Sequence, residues 1–354
     1  TDKRKPSMTE TLQQTMLDAI ETELKKQVGR LAQARTQDFH EMLTYHMGWS
    51  GEGAGPQAAG KRVRPLLLLL SVASFGYKKD GDIKKETVNW LHAVPASASA
   101  ELVHNFSLVH DDIQDNSELR RGRKTAWVKW GAPMAINVGD ALFVIANQSI
   151  LDLQTHYPHE MVVRAAEILG ECCLQLTQGQ FLDMSYEERA DLTIQDYWPM
   201  VGGKTSALLA ACTQIGALLG YAQDSQVEDF RLFGHHLGLA FQVQDDILGI
   251  WGDEALTGKS AASDLVEGKN SLPILFGLEK NREFAKRWQR GSVLQSEVME
   301  IASLLEKEGA RAYAERISED ETKLALGHLE RAQPRGEAAE ALLGLANMLL
   351  KRKQ

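Results

Sequence analysis

Cysteine is nearly missing from this chain: there are three among 354 residues, Cys172, Cys173 and Cys212. They form neither a CxxC nor any metal-ligand spacing, so a disulfide framework and a zinc module are excluded. Buried thiols in a reducing, cytoplasmic setting are expected instead. Long hydrophobic runs are missing as well. The longest, LLLLLSVASFG after Pro65, falls short of the ~20 apolar residues that span a bilayer. The polar N-terminus looks like neither a signal nor a transit peptide, so no stable membrane insertion is expected. Excess positive charge is absent, with a formal net charge of −9, which argues against nucleic acid or an anionic membrane surface as a partner. No segment alternates polar and apolar residues for long enough to be a strand, no short repeat recurs, and no composition break marks a domain boundary. GxxxxGK[ST], strand-linked GxGxxG, HExxH and GxSxG motifs are all lacking. The ten histidines show no trustworthy ligand spacing; His235 and His236 read as packing or surface residues.

What is present is helical spacing. A hydrophobic content of 44% and a charged content of 25% suit a globular chain with an ample core. From Thr9, read as an N-cap, to about Tyr45, the residues Leu12, Met16, Ile20, Leu24, Val28 and Leu31 recur every three or four positions. The pattern returns at 88–111, 133–153, 159–185, 195–221 and 226–251, and again from about Pro273 to Leu350. Residues 1–8 are expected to fray, 48–60 to form a glycine-rich loop, and 252–271 to form a long polar loop of the kind that is functional or disordered. The expected architecture is all-α, a single domain over residues 1–354, with helices such as VGGKTSALLAACTQIGALLG, apolar on most faces, at its centre.

Against this background the charges are oddly placed. LVHDDIQD sets Asp111, Asp112 and Asp115 at the end of an apolar helix. Asp111 and Asp115 are four apart, so they share a helical face with Cβ atoms about 5–6 Å from each other. Alone, such a motif reads as a solvated helix end. A second pair, Asp245 and Asp246 in FQVQDDILG, follows the apolar HHLGLAFQV, and buried carboxylates without partners are very costly. Cations answer both observations, and hard carboxylate oxygens suit Mg²⁺ shared with substrate phosphates. Basic residues recur at the ends of apolar helices: Lys61, Arg62 and Arg64 in GKRVRP, Arg120 and Arg121 in LRRG, Lys204 with Thr205 in GGKTS, Lys259 in TGKS and Lys269 in EGKN. Guanidinium forks and ammonium point charges both bind phosphate. Two acid pairs for Mg²⁺ with several such bases describe a site for diphosphates.

These residues resemble the trans-prenyl diphosphate synthases, the polyprenyl synthetase family. GKRVRP, LVHDDIQD, LRRGRKT, VGDALF, TQGQFLD, GGKTS, FQVQDDILG, GD and TGK occur in that family's order. The resemblance implies an isoprenoid synthase fold of many helices around a deep central cavity, usually as a homodimer. It implies condensation of isopentenyl diphosphate with an allylic diphosphate (dimethylallyl, geranyl or farnesyl), with Mg²⁺, three ions once substrate is bound. Carried over by position, Asp111, Asp115 and Asp245 resemble the metal ligands, and Asp112 and Asp246 complete the acid pairs. Lys61, Arg64, His104 and Arg121 resemble the isopentenyl diphosphate contacts. Arg120, Lys204, Thr205, Gln242, Lys259 and Lys269 resemble contacts to the allylic diphosphate, Arg120 and Lys204 acting in catalysis. The departure is Gly249, where many members carry a third aspartate; DDILG is read as a variant of an active motif, with Asp253 following in GDE.

Phe106 and Ser107, five and four residues before Asp111, correspond to the positions that in this family form the floor of the product cavity. One aromatic with a small neighbour resembles the synthases of geranylgeranyl diphosphate (C20); farnesyl diphosphate (C15) is the alternative product. A class I terpene synthase or cyclase would share the first acid motif, but would carry an NDxxSxxxE-type second site in place of DDILG. A non-catalytic subunit of a heteromeric synthase would be expected to lose acid pairs or diphosphate-binding lysines.

Overall fold

The computed structural model describes residues 7–75, 88–187, 189–252 and 262–350. In chain order the larger elements are α1 (Met8–Val28), α2 (Gln37–His46), α3 (Pro56–Ala59), α4 (Val63–Ala73), α5 (Val94–Gln114), β1 (Leu119–Arg120), β2 (Arg123–Lys124), α6 (Ala126–Trp130) and α7 (Ala132–Leu151). They continue with α8 (His159–Tyr186), α9 (Ile194–Val201), α10 (Ala207–Leu219), α11 (Asp224–Trp251), α12 (Ser263–Glu267), α13 (Leu272–Lys280), α14 (Glu283–Trp288), α15 (Val298–Lys307), α16 (Ala310–Ala332) and α17 (Gly336–Leu350). The all-α class expected from the spacing holds. The chain divides into two compact units, one of Thr1–Gly170, Cys212–Val227 and Pro334–Leu342, the other of Glu171–Ala211, Glu228–Gln333 and Leu343–Gln354.

In the first unit, α1 is capped by Ser7 and not by Thr9. Glu10 N donates to Ser7 Oγ at 3.2 Å while Ser7 N donates to Glu10 Oε2 at 2.6 Å, a reciprocal box that Thr9, two residues on, does not form. The helix expected to run on to Tyr45 stops at Val28, and 3₁₀ turns at Gly29–Leu31 and Ala34–Thr36 separate it from α2. Every residue of α4 from Pro65 to Val72 is buried, as a helix apolar all round must be. Helices α5 and α7 lie close together. Ser99 Oγ donates to Ala146 O at 2.7 Å and Ser149 Oγ to Pro95 O at 2.8 Å, bonds that need the small side chains of PASASA at the contact. Among the described residues one stretch, Ala132–Thr155, is long and apolar enough by composition to cross a membrane, and 44% of its most apolar window is buried. The apolar run after Pro65 is therefore not the only one of note, because Gly139 and Asp140 interrupt the letters of α7 without making it polar.

One strand pair escaped the alternation test. Leu119 pairs with Lys124 and Arg120 with Arg123; two-residue strands are too short to alternate. Arg121 and Gly122 form the turn with φ of 53° and 74°, the double positive φ of a type I′ hairpin. The glycine-rich stretch 48–60 contains α3, and the polar stretch 252–271 contains α12, both too short to show a helical period.

In the second unit, one core gathers Tyr197, Met200, Leu239, Val243, Ile247 and Leu272. A second gathers Ile250, Leu265, Ile274, Phe284, Ile301 and Leu305. Helical spacing across 195–221 is interrupted by a π turn at Gly202–Ser206. Here Gly203 meets Gly179 of α8 backbone to backbone: a Cβ on Gly179 would stand 2.2 Å from Lys204 N. Two glycines thus bring the GGKTS turn onto TQGQFLD.

Candidate active site

The first unit carries the first acid motif and most of the arginines. Arg62 precedes α4 in the left-handed conformation, with φ 49° and ψ 39°. That turn sends its side chain inward, where Nη1 donates to Glu101 Oε1 at 2.8 Å and Nε to Glu21 Oε2 at 3.2 Å. Trp49 Nε1 also donates to Glu21. Of the three bases in GKRVRP, Arg62 is therefore a buried anchor, Lys61 is exposed and Arg64 half-buried. Arg64 Nη1 lies 3.2 Å from His104 Nε2. Burial first, then Arg64 and the neighbouring arginines, hold the His104 imidazole well below its usual pKa. It is neutral, and its Nε2 lone pair faces the guanidinium.

Asp111 and Asp112 fall in the last turn of α5, and Asp115 caps it. Asp112 is buried and accepts from Arg120 Nε at 2.8 Å and Nη2 at 2.7 Å. Burial raises its pKa and Arg120 partly reverses that. Asp111 is half-buried and Asp115 exposed, so the open pair of the motif is the one spaced by four. Past the hairpin, Arg121 Nη1 donates to Ala58 O at 2.8 Å, which brings LRRG beside the residues leading to Lys61. Arg123, for which the sequence suggested no role, donates to Tyr45 O, Ser50 O and Glu52 O at 2.8, 2.7 and 2.9 Å and lies over the Tyr45 ring at 4.0 Å. It holds the glycine-rich loop.

Tyr45, His46, Asn105, Asp112, Arg120 and Arg121 line one pocket in this unit. His46 Nε2 is buried there without a hydrogen-bond partner among the described residues. Burial first, then Arg120 and Arg121, lower the His46 pKa from 6.5 to about 3. An unfolded imidazole titrates near its usual value, so below that value unfolding takes up a proton. Stability is then full above the unfolded pKa and is lost as pH falls toward the folded one. Each pH unit in that window removes about 1.4 kcal/mol. His46→Gln is expected to flatten the fall in unfolding free energy between pH 6.5 and 5 by about 2 kcal/mol. An unchanged slope would rule out a neutral buried imidazole.

The second unit carries the second acid motif. Lys204, in the π turn, forms an ion pair with Asp183 of α8. Thr205 Oγ1 donates to Gln242 Oε1 at 2.8 Å, and Gln242 Nε2 donates to Asp246 Oδ1 at 2.9 Å. Asp246 Oδ2 accepts from Tyr197 Oη at 2.8 Å and from Leu272 N at 3.0 Å. Burial pushes Asp246 up to about 7 against the pull of these three donors. Asp245, its neighbour, is half-exposed. Lys269 is exposed and turns to acids of its own segment, 2.6 Å from Glu267 and 3.8 Å from Asp264. Lys259 and Asp253 lie outside the described residues.

The two motifs share a pattern. In each, one aspartate is buried and anchored, Asp112 or Asp246, and a neighbour is at least partly open, Asp111 with Asp115, or Asp245. Among the described residues no three His, Cys, Asp or Glu side chains gather closely enough to hold an ion by themselves. The donor set fits Mg²⁺ on the chemistry of its oxygens, since this ion takes one or two carboxylates and completes its shell with water and substrate phosphates. Sequence reasoning overlooked Asp183, Tyr197, Arg123 and His46, and it counted Arg62 among the phosphate-binding bases, whereas Arg62 is spent on Glu101 and Glu21. Asp183, Tyr197, Arg62 and Arg123 act through partners distant in sequence, and only the TQGQFLD motif held a hint, for Asp183.

Comparison with known proteins gives a consistent result. A family model described as polyprenyl synthetase matches residues 55–305. A geranylgeranyl diphosphate synthase of Mycobacterium tuberculosis is 33% identical over 349 residues, covering 97% of this chain and 95% of that protein. A (2E,6E)-farnesyl diphosphate synthase of Mycobacterium bovis is 38% identical over 283 residues, covering 77% of this chain and 75% of that protein. Among solved structures, a geranylgeranyl pyrophosphate synthetase from Pyrococcus horikoshii superposes with a TM-score of 0.84 at 31% identity, covering 97% of this chain and 98% of the other.

Proposed function

The chain belongs to the polyprenyl synthetase family, and on that premise we propose how its residues divide the work of prenyl transfer. The enzyme is a trans-prenyltransferase that joins isopentenyl diphosphate to an allylic diphosphate. The observation that carries the assignment of roles is the pairing of an anchored aspartate with an open one in both acid motifs. Asp112, tied to Arg120, and Asp246, tied to Tyr197, Gln242 and Leu272 N, hold the ends of their helices. Asp111 and Asp115 in the first motif, and Asp245 in the second, would be the carboxylates that hold Mg²⁺. When bound, Mg²⁺ acts as a Lewis acid on the diphosphate as it departs.

Arg120 and Lys204 stabilise the charge that grows on the leaving diphosphate, an electrostatic role in which fixed cations are worth most. Thr205 and Gln242, with Lys259 and Lys269, orient the same group. Lys61, Arg64 and Arg121 bind isopentenyl diphosphate, and neutral His104 holds Arg64 in place. The alkene attacks the allylic cation, and the proton lost afterwards goes to the released diphosphate. Apolar walls exclude water, which would capture the cation. No side chain is needed as nucleophile, in keeping with the missing nucleophile motifs.

The test supplies dimethylallyl, geranyl or farnesyl diphosphate and Mg²⁺, with and without isopentenyl diphosphate. Elongation is the expected result. Hydrocarbon release without isopentenyl diphosphate would indicate a cyclase instead, and no turnover a non-catalytic subunit. A homodimer belongs to the same reading. Helix α7 leaves Met134, Ile136, Val144 and Leu151 exposed, a face that a second copy would cover; a monomeric mass by light scattering would remove it.

We infer a C20 product. Phe106 is buried, with its ring 5.0 Å from Phe143 and 5.9 Å from His110, and Ser107 Oγ turns back to His104 O at 2.9 Å. Two aromatics from α5 and α7, meeting edge to face at an interplanar angle of 61°, make the floor. Phe106→Ala is expected to shift the product to longer chains, read by mass spectrometry of the dephosphorylated alcohols. An unchanged distribution would sink the floor assignment. The Mycobacterium bovis farnesyl relative keeps C15 as the second reading.

A further inference from the structure

The GGKTS turn carries Lys204 and Thr205, and it is not an ordinary piece of α-helix. Ala207 N bonds to Gly202 O, five residues back. Such a π turn interrupts the α-helical ladder, so the direction of its side chains depends on what holds it from outside. Ser206, the last residue of the turn, is fully buried. Its Oγ donates to the His235 carbonyl at 2.7 Å and lies 2.8 Å from His235 Nδ1. A Cβ on Gly238 would stand 2.6 Å from Ser206 Cα, so the missing side chain at 238 is what lets the turn lie against α11. One turn on, Gln242 accepts from Thr205 Oγ1, and Asp246 accepts from Gln242. His235, Gly238, Gln242 and Asp246 are spaced by three and four, which places them on one face of α11.

A serine hydroxyl has one proton to give. A carbonyl can only accept, so the Ser206 proton goes to His235 O, and the imidazole must supply the proton of the second bond. That assigns His235 the tautomer with its proton on Nδ1. Burial first, then His236 and Arg231, lower the His235 pKa, so the other ring nitrogen, Nε2, carries a lone pair. We propose that His235 is a positioning residue: its Nδ1–H, closed on Ser206 Oγ, fastens the GGKTS turn to α11 and so aims Lys204 and Thr205 at the allylic diphosphate. The inference rests on the prenyl-transfer reading above and adds to it a residue that the sequence marked only as packing or surface. A diphosphate would draw Lys204 from Asp183 and Thr205 from Gln242, bonds made by the acting groups themselves. The Ser206 clasp involves neither group, so it persists and keeps the turn in place when those bonds are exchanged.

Steady-state kinetics of the full chain, with geranyl and isopentenyl diphosphates varied in turn and melting curves run beside them, test the clasp. Ser206→Ala removes both bonds. It is expected to lower kcat by about tenfold to a hundredfold, the scale of a misplaced catalytic group. KM for geranyl diphosphate should rise while that for isopentenyl diphosphate stays within about twofold. His235→Leu is expected to reproduce most of that loss. His235→Asn, whose amide N–H can reach Ser206 Oγ as Nδ1–H does, is expected to return kcat to within about threefold of the unaltered chain. Ser206→Ala/His235→Leu should be no worse than Ser206→Ala, because the two side chains act as one unit. Imidazole ¹⁵N shifts of the unaltered chain, assigned by the signal that His235→Asn removes, should show Nδ1 protonated and Nε2 bare. An Nε2–H tautomer overturns the proposal. So does a lower melting temperature with both KM values raised alike and no rescue by asparagine, the mark of a merely structural contact. An active chain with unchanged kinetics in Ser206→Ala overturns the clasp alone, whereas an unaltered chain that elongates no allylic diphosphate overturns the prenyl-transfer reading and the positioning role with it.

Discussion

Asp245→Ala is expected to lower kcat by about a thousandfold or more at saturating Mg²⁺, with little loss of stability. The magnitude follows from what one preorganised electrostatic group is worth when charge develops on a leaving group, roughly 10²–10³ in rate, with the loss of a metal ligand added to it. Asp245 is half-exposed, so water can take the place of its carboxylate. Asp246→Ala is the informative contrast. It would orphan Tyr197 Oη, Gln242 Nε2 and Leu272 N, all now bonded to that carboxylate. Each stranded buried group costs about 1–3 kcal/mol. The expected signature is therefore a split, with Asp245→Ala folded and inactive and Asp246→Ala unstable. Single-turnover kinetics with geranyl diphosphate, run beside melting curves, reads both halves. Near wild-type turnover of Asp245→Ala at saturating Mg²⁺ would end the metal assignment for the second motif.

The same contrast shows what could be read from letters. The acid pairs were legible because their signal is local: charges at helical spacing on apolar helices need an explanation. Within each DD, however, the two letters are equivalent. What separates Asp112 from Asp111 is Arg120, eight residues on across a hairpin too short to leave a strand pattern. What separates Asp246 from Asp245 includes Tyr197, whose contact spans 49 positions. GKRVRP likewise shows three bases in a row, and only the left-handed turn at Arg62 decides which of them is buried. Gly249 read as a missing acid because its close approach to Asp264, where a Cβ would stand 2.2 Å from Oδ2, lies outside its own helix. The helical class needed no such long-range information, since period and composition are properties of single segments. Breaks such as the 3₁₀ turns after Val28 and the π turn at Gly202–Ser206 depend on packing partners, and the period alone runs through them.

Arg62→Leu is expected to destabilise the chain by about 3–5 kcal/mol, the cost of breaking a buried ion pair by removing one partner. Arg62 and Glu101 have side chains only 5% and 4% exposed and meet at 2.8 Å. Without the guanidinium, Glu101 keeps from this network only Asn105 Nδ2 at 3.0 Å, which cannot compensate a carboxylate out of water. Glu21, 30% exposed, still has Trp49 Nε1 and solvent, so its share of the loss is small. If this account is right, the cost is mostly a stranded charge and not a lost attraction. Removing both charges, in Arg62→Leu/Glu101→Leu, should then recover much of the stability, because a well-packed apolar replacement for a buried pair is often neutral. Urea unfolding with linear extrapolation measures all three differences. The pair also connects stability to substrate: Lys61 and Arg64 flank Arg62, and the turn it anchors sets their direction. At a temperature where the double variant is fully folded, KM for isopentenyl diphosphate should rise while that for the allylic partner stays put, because the turn loses its tether but Lys204 and Asp245 are untouched. An Arg62→Leu chain within about 1 kcal/mol of wild type would mean that the Arg62–Glu101 pair contributes little, and that the GKRVRP turn is held by its backbone alone.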